Sequence, residues 1–187
     1  DLAEEYDARY GLSYDHLGRI AEINFANGRR NPAAQTRQWQ FGPDSFTEND
    51  EANPVVEGRT RKNDCGQVTD GAAVVFLASE KRAREYAAKR GISMESLSRI
   101  AGWGHRSAAL GYRDKLRMAG DSQYVFPQVR RAIEDARTRA GVSGVEAIDA
   151  VETHDCFAMT EYMAIDHLGL TAPGEAWKAV ENGDIEI

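Results

Sequence analysis

The sequence predicts an α/β fold, a largely parallel sheet with covering helices, and three observations carry that reading. Short continuous runs of small apolar residues recur along the chain, as in strands covered on both faces. Segments with helical spacing lie between them, and this alternation is the mark of parallel βαβ construction. Ser or Pro at the start and Gly at the end bracket those helical segments.

Taken in order, residues 14–26 place Leu17, Ile20 and Ala21 at helical spacing behind Ser13 as N-cap, and Asn31-Pro32 ends the helix. From 38 to 66 the chain is polar, with Pro43, Pro54 and many Asn, Asp and Gly residues, and reads as a long excursion or lid. Residues 72–78, "AAVVFLA", are a predicted strand. Ser79 then caps a helix that turns Ala83, Tyr86 and Ala87 inward and stops at Gly91. A second strand is expected over 97–103, and residues 104–123 read as loop. Pro127 opens the clearest helix, with Val129, Ala132, Ile133 and Ala136 on one face and Gly141 closing it. "AIDAVETHD", residues 147–155, is a third strand, followed by a helix over 158–168 with Met159, Met163 and Ile165 packing. The chain opens on Asp1 and stops at "ENGDIEI", which reads as a strand just beginning, so the 187 residues are expected to be part of a longer polypeptide.

Composition narrows the partners. With 23 basic and 30 acidic side chains the formal charge is -7, which disfavours nucleic acid and anionic membrane. No segment approaches the ~18 uncharged apolar residues of a membrane span. The two cysteines, Cys65 and Cys156, are too few for a disulfide framework and suit a reducing compartment.

The chemistry concentrates in "THDCF". His154, Asp155 and Cys156 fall at the carboxyl end of the third strand, where a helix begins. In open α/β folds ligands bind there, and a helix N-terminus favours developing negative charge. Asp155 occupies the expected N-cap, with Cys156 and Phe157 starting the helix. Spacing alone leaves capping and catalysis both open, and capping is the commoner role of such a turn. A zinc site from His154, Cys156 and His167 lacks a paired-ligand spacing, so no metal is expected. Arg59, Arg61 and Lys62 form a basic cluster that suits either phosphates or, more commonly, a solvated loop face. His16 and His105 read as incidental, and Trp103 and Trp177 as packing residues.

"HDCF", followed by "TEYMAIDHLGL", closely resembles the thiolases of the sterol-carrier-protein type, which are acetyl-CoA acetyltransferase-like. "TDGAAVVFLASEKRA" resembles the strand after their loop domain, and "RRNPAAQTR" the segment leading into it. The resemblance implies a thiolase-like fold, incomplete here. Residues 1–37 would be the helical tail of the N-terminal half, 38–66 the loop-domain segment, 67–92 the last strand and helix of that half, and 93–187 the start of the C-terminal half. It implies that His154 donates to a thioester oxygen, as part of an oxyanion hole worth about 3–4 kcal/mol per donor. Asp155 would orient the turn, Cys156 and Phe157 would line the acyl pocket, and Gly66 would face coenzyme A. The nucleophilic cysteine and later motifs would lie outside this window, leaving the fragment inactive by itself. The activity implied is thiolytic cleavage of 3-oxoacyl-CoA or the reverse Claisen condensation, with coenzyme A as substrate and no cofactor. A homodimer or homotetramer, cytoplasmic or peroxisomal in a eukaryote, goes with it. The alternatives are a thiolase-fold aldolase acting on acyl or steroid side chains, and a non-catalytic acyl-CoA-binding relative.

Overall fold

A computed structural model describes residues 1–186. Its ordered core is helical. Seven α-helices run in chain order: α1 (Leu2–Tyr10), α2 (Tyr14–Arg30), α3 (Glu80–Arg90), α4 (Tyr112–Ala119), α5 (Pro127–Ala140), α6 (Ala158–Leu168) and α7 (Ala176–Asn182). Two short strands, β1 (Val55–Glu57) and β2 (Thr60–Arg61), pair antiparallel between α2 and α3.

The helices form where local signals act. Asp1 and Glu4 make a reciprocal capping box on α1. Ser13 accepts from the Asp15 amide at 3.3 Å to open α2, which runs on to Arg30 and stops before Pro32. Ser79 caps α3, Pro127 occupies the first turn of α5, and Gly91 and Gly141 close these two helices with φ near +70°. The buried face of α2 (Leu17, Ile20, Ala21) packs on α6 and α7, and α1 adds Ala3 and Tyr6 to the same core. Tyr6, Leu17, Ile20, Val125 and Tyr162 are all essentially buried. Each such side chain contributes about 1.5–3 kcal/mol by leaving water.

The largely parallel sheet is not found. Residues 72–78, 97–103 and 147–155 join no ladder, Ala147 instead closing a short 3-10 turn from Val145, and the described residues hold only the two-stranded β1–β2 sheet. The apolar run 74–77 is more than three-quarters exposed at each position. A run of this kind records a demand to be covered on both faces. A strand also needs a hydrogen-bonding neighbour, and none lies against these segments. The predicted strand at the chain end is likewise replaced by α7, followed by an irregular stretch at 184–186; Ile187 lies outside the described residues. The stretch read as loop, 104–123, contains α4.

The polar segment 38–66 is fastened rather than loose. Phe41 and Phe46 stack around Phe25 of α2, with ring centroids 4.4 and 5.9 Å away. Gly18 lets the backbone of Phe46 approach α2 so closely that a β-carbon would stand 2.1 Å from its carbonyl oxygen. Asn53, Arg61 and Asp64 are buried beside Tyr14, whose hydroxyl donates to Asp64 at 2.8 Å and accepts from Asn53 at 2.7 Å. Burial pushes the Tyr14 hydroxyl up, and the neighbouring Asp64 charge adds to it.

On the far side, 102–104 lies along α5 at backbone contact. A β-carbon on Gly104 would stand 1.7 Å from the Ala132 carbonyl oxygen, and one on Gly102 would stand 2.1 Å from that of Ala136. Arg106 anchors the segment through Asp135 at 2.6 Å. The stripe of α5 that the sequence predicts to face a core is thus half-covered by an extended strap, with Val129 still exposed.

Candidate active site

The site is assembled at the N-terminal end of α6. That helix starts at Ala158 with Phe157 as its cap and no side-chain capping bond. Asp155 is therefore not the N-cap, and Cys156 and Phe157 precede the helix. Asp155 is bonded instead by a donor on α2: the Asn24 amide nitrogen lies 2.6 Å from Asp155 Oδ2 and 2.7 Å from Glu161 Oε2. Burial, then the charge and hydrogen bond of Glu161, push the Asp155 carboxyl up to about 7, against an opposing effect of the Glu161 backbone N–H. Its second oxygen, Oδ1, is buried without a hydrogen-bond partner among the described residues.

The turn is pinned from a second direction. The Gly66 N–H donates to the Cys156 carbonyl at 2.8 Å, and Cys65 and Phe157 form an isolated antiparallel bridge. At Gly66 a β-carbon would lie 3.2 Å from that same carbonyl oxygen, so a side chain there crowds the latch. The fold thus brings together Gly66, Asp155, Cys156 and Phe157, four positions singled out from the sequence. His154 adjoins them on the exposed side. Its ring makes no hydrogen bond among the described residues, which leaves both nitrogens available to a ligand.

A cavity of about 200 Å³ opens beside the turn, lined by Asn24, Phe25, Asp64, Cys65, Gly66 and Asp155 among others. It is smaller than the ~300–1,000 Å³ of sites that engulf a ligand, and holds only a short group. Cys65 donates its thiol to the Arg61 carbonyl at 3.3 Å. Burial, and then the Asp64 charge, push that thiol up, so it is poorly disposed to form a nucleophilic thiolate. Cys156 lies 3.6 Å from the Thr160 hydroxyl, and Phe157 is 43% exposed, a ring available to an apolar group.

Other candidates resolve differently. His167 is buried, its Nδ1 against Asp166 at 2.5 Å and the Met163 carbonyl at 2.7 Å, its Nε2 accepting from the Phe126 amide at 3.1 Å. Both nitrogens are engaged by protein, so it is no ligand for anything else. The basic cluster is neither a phosphate site nor a solvated face at its centre. Arg61 is buried against Asp50 and the Asn53 carbonyl, and Arg59 reaches Asp7 and the Leu12 carbonyl, each at 2.7–2.8 Å. Only Lys62 of the three is exposed. His16 packs over Tyr162 and bonds Glu181 at 3.0 Å. Trp103 and Trp177 are exposed under Arg139 and Lys178 rather than packed in a core.

Residues 112–187 match the family model described as thiolase C-terminal domain-like. The whole chain aligns with relatives from separate lineages. It is 28% identical over 186 residues to an acetyl-CoA acetyltransferase of Methanothermobacter thermautotrophicus, covering all of this chain and 44% of that protein. It is 29% identical to the acetyl-CoA acetyltransferase of Methanocaldococcus jannaschii, again covering all of this chain and 43% of the relative. Sterol carrier protein 2 of Oryctolagus cuniculus is 26% identical over 97% of this chain and 31% of its own length. Residues 112–187 thus resemble a thiolase C-terminal domain, and the whole chain is similar to acetyl-CoA acetyltransferases and to sterol carrier protein 2. The chain spans less than half the length of these relatives.

Two residues of this candidate site are not singled out from the sequence. Asn24 and Glu161 become site residues only because α2 and α6 pack face to face, across separations of 131 and 137 positions between Asn24 and its two carboxyl partners. The one available cue was that Asn24 follows Leu17, Ile20 and Ala21 on a helix whose inward face is otherwise apolar, which marks a polar residue at the edge of a buried stripe.

Proposed function

We propose that the protein acts in acyl transfer of the thiolase type: thiolytic cleavage of a 3-oxoacyl-CoA, or the reverse Claisen condensation. His154 donates from its imidazole to the thioester oxygen as negative charge develops there. Cys156 and Phe157 wall the acyl group, Asp155 orients the turn, and Gly66 faces coenzyme A. Coenzyme A is a substrate, no further cofactor takes part, and the attacking cysteine comes from outside residues 1–187. The active form is a homodimer or homotetramer, placed in the cytoplasm or, in a eukaryote, the peroxisome. Among the described residues no helix is long and apolar enough to cross a membrane.

The observation that carries this reading is the free His154 ring beside a turn held from two sides, by Gly66 and by Asn24. A donor whose support is fixed before the substrate arrives avoids reorganisation as charge appears, and that is the source of oxyanion stabilisation. The test is the full chain with His154→Ala, assayed on acetoacetyl-CoA plus coenzyme A. Turnover is expected to fall about 10²- to 10³-fold, and an unchanged rate refutes the role.

The relatives named sterol carrier protein 2 favour one second reading, a non-catalytic acyl-CoA binder built on the same framework. Under it, His154→Ala weakens acyl-CoA binding and no turnover is seen with either form of the protein.

A further inference from the structure

We infer that Asn24 is a positioning residue for the turn at 154–156: from α2, its side-chain amide clamps Asp155 and Glu161 together and so fixes the turn against the helical core. One amide nitrogen carries two hydrogens, and here two carboxyl oxygens, at 2.6 and 2.7 Å, take them both. Two carboxylates drawn onto one nitrogen repel each other when both are ionised. The clamp is tightest when the pair holds one proton, and the raised Asp155 carboxyl shows that such a state is populated near neutrality.

The surroundings leave the clamp little alternative. Asp155 Oδ1 is buried without a partner, so on that side nothing ties the carboxyl down. Segment 62–66 faces the pair with Asp64 and Cys65, both pushed toward their neutral forms first by burial. The turn itself adds Cys156, α6 adds the neutral Thr160, and α2 adds Ala21 and Phe25 beside Asn24. An aspartate at position 24 would bring a third carboxylate to this point, and an apolar residue would leave two carboxylates with no shared donor. Asparagine has the donor, the length and the missing charge that the position requires.

For its kinetic consequence this rests on the His154 reading; its structural part does not. The test uses the full chain carrying Asn24→Ala, Asn24→Asp or Glu161→Gln. Two quantities are read: amide-exchange protection at Gly66 and residues 155–158, and kcat and KM for acetoacetyl-CoA cleavage across pH 6 to 8. Asn24→Ala is expected to lower protection about tenfold and kcat roughly 10- to 100-fold, with KM almost unmoved. Asn24→Asp should match it at pH 8 and recover toward the parent at pH 6, where the added carboxylate is neutralised. Wild-type protection in Asn24→Ala overturns the proposal whatever the rate does. Should that variant fail to fold, Glu161→Gln decides: the parent is expected to lose protection between pH 6 and 8, and because the glutamine keeps an acceptor and removes one charge this loss should vanish, so its persistence overturns the proposal. A normal rate in His154→Ala removes the parent reading and leaves the exchange result standing.

Discussion

Helix α6 carries a histidine beside an aspartate at each end, and the two pairs have opposite fates. In its last turn, Asp166 and His167 are 1% and 2% exposed, and their polar atoms are matched. Asp166 accepts from the Tyr6 hydroxyl at 2.9 Å and the Gly174 amide at 3.1 Å, while His167 joins Asp166 to the backbone of Phe126 and Met163. Before its first turn, His154 is exposed and Asp155 keeps one buried oxygen unsatisfied. The same two residue types serve architecture where every group is paired, because an unpaired buried polar group costs more than a paired one returns. At the other end a ring and an oxygen are left open, and the proposed function uses that opening.

The comparison is broken most severely at the satisfied end. Asp166→Ala strands the Tyr6 hydroxyl and the Gly174 amide at once and takes one of its partners from the His167 ring. It should cost about 3–5 kcal/mol in denaturant unfolding, and a loss below about 1 kcal/mol would deny the pair its architectural role. A smaller and pH-dependent effect belongs to Asp155→Asn. The folded carboxyl titrates at about 7, well above its ordinary range, so between roughly pH 4 and 7 the folded protein holds a proton that the unfolded chain has released. The parent therefore loses stability as pH rises through that window and levels off above it. The asparagine variant has no such loss, so its advantage over the parent should be larger at pH 8 than at pH 5, by about 1–2 kcal/mol. Thermal unfolding at the two pH values measures this directly, and an equal difference at both would mean that Asp155 ionises normally. The smallest effect is expected at His154. Since its ring touches no hydrogen-bonding partner among the described residues, His154→Ala should shift stability by less than about 0.5 kcal/mol while removing activity. A large loss of stability there would make the two ends of α6 alike.

What could be read from the sequence divides along the same physical line. Ser13, Ser79, Pro127, Gly91 and Gly141 mark helix ends through interactions within a few residues, and α2, α3 and α5 fall where those marks place them. Helices α4 and α7 are marked only at their C-terminal ends, by Gly120 and Gly183: Gly111 and Glu175 make no side-chain capping bond, and both helices pass for loop or strand in the sequence. The runs at 72–78 and 147–155 have strand composition, yet a ladder depends on a neighbour that composition does not name. In the candidate site, "HDCF" is legible as a polar turn before a helix, whereas the latch from the Gly66 N–H to the Cys156 carbonyl has no local signal. The roles inside it were less so. Asp155 looks like a cap by spacing, but a donor 131 residues away draws its side chain elsewhere, and no local rule anticipates a bond of that span.

The uncovered run at 74–77 has a practical consequence. Val74, Val75, Phe76 and Leu77 form an extended, apolar, uncharged stretch whose backbone hydrogen-bonding groups face solvent. Stretches of that composition template open-ended association between molecules, and charge is the usual safeguard against it. Here the net charge of -7 is scattered over the chain, and the nearest charged side chains to the run, Asp70 and Glu80, stand outside it on either side. Charging one of those four residues, as in Val75→Lys, is therefore expected to raise the concentration at which residues 1–187 stay dispersed.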